Sequence, residues 1–135
     1  MKFFLKLHVI SMLYALIFFV PIELMLNVYR INRLTNWEFG TINMLTGTAI
    51  IVEFIVGTIL IILLTKKWLD GRKASFWTIL LWLPYLVLLV YLFAVLFPMT
   101  HREDEPNPVT GLLAIGGLMI YPFYILILNF SLYKR

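Results

Sequence analysis

A chain of 135 residues with 62% hydrophobic and only 13% charged side chains lies well outside the soluble range, where about 45–50% and about 25% are usual. Its mean hydropathy of +0.95 excludes a water-soluble fold, because so short a chain has too little interior to hide that much apolar surface. Cysteine is absent, which excludes disulfides, thiolate catalysis and cysteine-held zinc or iron–sulfur clusters. The net charge of +4 comes from basic residues at the ends of apolar stretches, where they anchor helices, so nucleic acid is not an expected partner.

The first apolar stretch lies between Lys6 and Arg30, with Glu23 as its one charged residue. The second runs from Glu38 to Lys66 and is interrupted only by Glu53. The third, Lys73 to His101, and the fourth, Glu105 to Lys134, carry no charge inside them. Each exceeds the roughly 20 residues that cross a hydrocarbon core. Lipid offers the backbone no hydrogen-bond partners, so each segment must satisfy its own, and helices are the form that does. The expected fold is all-α: a polytopic membrane protein, a bundle of four transmembrane helices in one membrane domain over 1–135. The spans are expected near 7–29, 41–65, 74–97 and 109–132. Breaks fall at Asn32 to Gly40, at Asp70-Gly71 and at Pro98 to Pro108. The first run is too long for a signal-peptide core and no A-x-A-like site follows it, so it reads as an uncleaved helix.

Orientation follows from basic residues. Lys2, Lys6, Lys66, Lys67, Arg72, Lys73, Lys134 and Arg135 share one side of a four-span chain, against Arg30, Arg33 and Arg102 on the other. The positive-inside rule then places both termini in the cytoplasm, in a multi-pass protein of the cell membrane. Trp37, Phe39 and Phe97 suit the outer interface, and Trp68, Trp77 and Tyr133 the inner one.

Two acids within the spans are the candidate functional residues. A charged side chain at a helix centre costs about 2.5–3.5 kcal/mol, so it faces protein or water. Glu23 has company: Asn27 and Arg30 stand four and seven residues on, along one helical face. Pro21 removes a backbone hydrogen bond just before it, which predicts a bend there. Glu53 shares a face with Thr46, Ala49 and Gly57, small or hydroxylated residues that permit close approach, so this stripe is expected to face the bundle interior. No Lys or Arg lies at comparable depth, which predicts a neutral acid. One reading makes the two acids a proton-carrying or cation-binding pair. The plainer reading has both hydrogen-bonded within the bundle, fixing helix register. For Glu23 the plainer reading is favoured.

Four short helices with an acid in the first resemble the small multidrug resistance transporters. That resemblance implies proton exchange against cationic compounds, with Glu23 as the acid. It covers topology more than sequence: FFVPIELMLN around Glu23 lacks that family's small residues, and Glu53 has no counterpart there.

In the third stretch, Trp82, Pro84, Tyr85 and Tyr91 suggest an aromatic face, more simply read as packing. In the fourth, Gly111, Ala114, Gly116 and Gly117 suggest a close helix contact, within the chain or between copies. His8 reads as interfacial. The cluster His101 to Glu105 lacks any metal-binding spacing, and no cofactor is expected. Catalysis has no support, since no nucleophile stands near a base. The leading expectation is therefore a non-enzymatic membrane component, accessory or self-assembling, whose partners are the lipid bilayer and a homo-oligomer or membrane-protein partner. The alternative is a small oligomeric proton-coupled transporter or ion-conducting protein using Glu53 and Glu23.

Overall fold

The computed structural model describes residues 2–69, 76–98, 100 and 108–133. The cluster at His101 to Glu105 and most of the loop after Leu69 lie outside the described residues. All secondary structure among the described residues is helical. Helix α1 spans Lys2–Leu26 and α2 Val28–Thr35. Helix α3 spans Phe39–Leu64 and runs on into a π-helical turn, Thr65–Leu69. Helices α4 and α5 span Thr78–Leu96 and Pro108–Leu132. Four of these segments, counting α3 with its π turn, are long and apolar enough to cross a membrane.

The connection into α3, Asn36 to Glu38, falls inside the expected break at Asn32 to Gly40, but the first helix is interrupted earlier as well. The helix runs unbroken through Pro21, and the interruption is at Asn27, whose backbone (φ −107°, ψ 15°) leaves the helical region. The Asn27 side chain turns back, donating to the Glu23 carbonyl at 2.7 Å and to Glu23 Oε2 at 3.0 Å. Asparagine competes with the helix ladder in this way because its amide offers local backbone partners. The polar run Arg30 to Thr35 is then helix rather than loop. Its connection to α3 is only Asn36 to Glu38. Asn36 closes α2 in the left-handed conformation (φ 59°), its N–H on the Asn32 carbonyl, as short polar side chains tolerate. Asn32 Nδ2 donates to the Trp37 carbonyl at 2.6 Å and completes the turn.

Helix α1 is the hub. It packs on α3, α4 and α5, most extensively on α4. Of its most apolar window 28% is buried, against 6% for α3 with its π turn, so α3 lies at the periphery with most of its surface left for lipid. The core joins Ile10, Tyr14, Ala15 and Ile17 of α1 to Ile61, Trp82, Tyr121 and Ile125 on the other three helices. Water is not the solvent here, so shape rather than apolar transfer selects these contacts.

Gly57 is one place where shape is legible. A Cβ built there would stand 2.7 Å from Ile17 Cδ1 and Cγ1, so only glycine lets α3 come this close to α1. Gly57→Val is expected to destabilise the bundle by about 1–3 kcal/mol through overpacking. Ile17→Ala in the same chain should recover part of that loss, because the two sites touch. Thermal unfolding in detergent, followed by circular dichroism, checks it. Full additivity of the two losses would refute the contact. Gly117 makes a second, looser approach, 3.2 Å from Phe18, whereas Gly111 and Gly116 face open space. The small residues of α5 therefore supply one internal contact, not a continuous stripe.

Candidate functional site

Glu53 lies near the middle of α3, one turn from Gly57. The Gly57–Ile17 contact fixes the register of the antiparallel helices and carries Glu53 toward the Pro21 turn of α1. Proline has no N–H to give the Ile17 carbonyl, so the ladder of α1 lacks one donor at this level. Glu53 Oε2 is sealed from solvent and has no hydrogen-bond partner among the described residues. Of the predicted interior stripe, Gly57 meets α1 directly. Thr46 and Ala49 line a shallow cleft against Leu24 and Ile31, and Ala49 is itself exposed.

Two tyrosines of α5, Tyr121 and Tyr124, lie in the neighbourhood of Glu53: Phe54 packs on Tyr124 and Thr58 bonds its hydroxyl, both within five residues of the acid on α3. The two tyrosines stand three residues apart and so share a helix face. The Tyr121 hydroxyl donates to the Tyr14 carbonyl at 2.6 Å, tying α5 to α1. The hydroxyls of Tyr124 and Thr58 share a hydrogen bond of 2.5 Å, tying α5 to α3. The rings pack closely as well. Tyr14 meets Tyr124 edge-on at 6.2 Å, and Phe54 lies 5.0 Å from Tyr124. Trp82 of α4 completes the cluster at 4.8 Å from Tyr121 and 5.6 Å from Phe18. One carboxyl, three phenols and a threonine hydroxyl thus gather where α1, α3 and α5 meet. Such a cluster can pass or hold a proton, because every hydroxyl both donates and accepts.

Glu23, Asn27 and Arg30 come together elsewhere. They line one wall of a cleft against Val90, Phe93 and Phe97 of α4 and its end. Arg30 donates through Nη1 to the Phe97 carbonyl at 3.0 Å. Glu53 does not line this cleft. The two acids therefore occupy separate environments, one on the α4 side of α1 and one between α3 and α5.

Toward the opposite end of the bundle the polar contacts are between helices. His8 Nδ1 and the Tyr85 hydroxyl share a hydrogen bond of 2.7 Å, with the tautomer deciding the donor. Asn129 Nδ2 donates to Thr78 Oγ1 at 3.0 Å. His8 is thus an α1–α4 tie. The aromatic residues of α4 do not share one face: Trp82 is fully buried, Tyr85 meets His8, and Tyr91 and Pro84 are exposed. Among the described residues no group of three His, Asp or Glu side chains is placed to hold a metal ion.

Sequence reasoning missed the cluster of Tyr14, Tyr121, Tyr124 and Thr58. The available signal was depth: all four lie far from the ends of their helices, so antiparallel packing brings them to similar levels. No family model, no curated protein and no solved structure matches the chain, so the likeness to small multidrug resistance transporters rests on helix layout alone.

Proposed function

We propose that this chain, whose four apolar helices are compatible with a small integral membrane protein, is a non-enzymatic, proton-coupled transporter of the cell membrane, with both termini cytoplasmic, in which Glu53 takes up and releases the proton. The observation that carries the reading is the sealed Glu53 oxygen without a hydrogen-bond partner among the described residues, on the helix whose Phe54 and Thr58 contact Tyr124. A buried carboxylate with no cation beside it is strongly disfavoured, so its charge can change only as a proton or cation arrives or departs. The tyrosine and threonine hydroxyls supply the relay. The test is proton flux into proteoliposomes, native chain against Glu53→Gln.

A second reading is favoured by a different observation. Helix α3 with its π turn has only 6% of its most apolar window buried, and Gly47 faces open space. This suits an accessory or self-assembling subunit that packs through α3. Extraction in mild detergent and cross-linking from α3 positions should then capture a second copy or another membrane protein. Strictly monomeric protein with no co-purifying chain would exclude it.

A further inference from the structure

Helices α1 and α4 run side by side and leave a groove along their seam. At the α2 end, Glu23, Asn27 and Arg30 face Val90, Phe93 and Phe97 across a cleft of about 200 Å³. Deeper in the bundle a second cleft, of about 180 Å³ and lined only by apolar side chains, lies among Phe19, Ile22, Val90 and Leu118. Val90 lines both, and Phe19 meets Phe93 edge-on at 6.1 Å where they join. Along α1 and into α2 the lining positions 18, 19, 22, 23, 26, 27 and 30 recur mainly at three-and-four spacing. The two clefts adjoin at Val90, one with a polar lining and one apolar.

The polar end holds one anionic and one cationic side chain, and both are positioned. Asn27 grips one Glu23 oxygen at 3.0 Å, and the Arg30 bond to the Phe97 carbonyl holds the guanidinium at the mouth. Guanidinium groups recognise phosphate through directed N–H donors, and carboxylates accept the N–H bonds of an ammonium. We propose that this groove binds a phospholipid with a primary-amine zwitterionic headgroup: phosphate against Arg30, ammonium against Glu23, one acyl chain in the apolar end. Charge complementarity selects that occupant. A purely anionic headgroup would set a like charge against Glu23, and a choline headgroup has no N–H to give it. Arg30 stands seven residues beyond Glu23, roughly 10 Å along a helix, so the headgroup lies folded along α1 instead of standing out into water.

The test uses the full chain, stripped of lipid in nonionic detergent. It is titrated with phosphatidylethanolamine, phosphatidylcholine or phosphatidylglycerol of identical acyl chains, and bound lipid is counted by native mass spectrometry. Phosphatidylethanolamine should be retained roughly tenfold better than the other two, the scale of one charge-assisted hydrogen bond. Glu23→Gln should bring it down to the level of phosphatidylcholine and leave phosphatidylcholine unchanged. Arg30→Gln and Val90→Trp should lower all three, and Arg33→Gln, outside the groove, none. Equal retention of the three lipids by the native chain overturns the proposal, as does an unchanged ranking in Glu23→Gln. Displacement of the lipid by an equal concentration of soluble phosphoethanolamine would overturn the acyl-chain seat. Arg30 also ties α2 to the end of α4, so the isosteric Glu23→Gln arm decides the matter if Arg30→Gln misfolds.

Discussion

Proteoliposomes carrying Glu53→Gln are expected to show proton flux no greater than protein-free liposomes, while the native chain conducts along an imposed pH gradient. Glutamine keeps the size and the hydrogen-bonding shape of a neutral glutamic acid but has no proton to give up. The substitution therefore separates the two roles open to this position. If Glu53 only set helix register, an amide would serve as well, and flux would survive. If it carries the proton, flux is lost while the bundle holds its stability to within about 1 kcal/mol, because no charge is stranded and no cavity opens. Glu23→Gln is the internal comparison. Glu23 lies in the α1–α4 cleft, bonded by Asn27, so its removal should leave flux through the α3–α5 side largely intact. Native flux in Glu53→Gln would remove this residue from the mechanism.

Trp82→Ala is expected to be the most damaging single truncation in the chain. Trp82 is fully buried and packs on Phe18 of α1 and Tyr121 of α5, so one indole joins three helices. Core Trp→Ala changes in water cost about 3–5 kcal/mol, as lost transfer energy plus a residual cavity. In lipid the separated helices remain among hydrocarbon, so the packing loss dominates and a value toward the lower end, about 3 kcal/mol, is expected. The indole N–H has no hydrogen-bond partner among the described residues, so Trp82→Phe loses ring volume but no bond and should cost less than half as much. Unfolding in mixed micelles, read by near-ultraviolet circular dichroism, measures both. A loss under about 1 kcal/mol in Trp82→Ala would show that α4 is not held to α1 and α5 through this ring. Loosening Tyr121 would also weaken its hydroxyl bond to Tyr14, so this variant should lose flux along with stability.

Much of the secondary structure was legible because the membrane leaves the backbone so little choice. An uncharged run of sufficient length has to satisfy its own hydrogen bonds, and it does so as helix whatever its neighbours are. The Glu23, Asn27 and Arg30 stripe was readable for a similar reason: its spacing is a property of one helix, and its bonds close within two turns. Asn27 marks the break in the first helix, where an asparagine side chain found local partners. The expected break at Asn32 to Gly40 contains the non-helical Asn36 to Glu38, while Asn32 to Thr35 stay helical, as residues leaving the apolar region can.

What the chain determined by itself is the set of long apolar helices, their order, and the depth of each acid. Only tertiary structure decided that α1 is the hub, that Trp82 turns inward while Tyr91 turns outward, and that Glu53 stands apart from the cleft holding Glu23. The reason is physical. A helix bathed in lipid is apolar on every side, so no polar face records which side will be buried. That choice falls to the fit of particular shapes, such as Gly57 against Ile17, and shape between distant segments is not written in the spacing of any one of them.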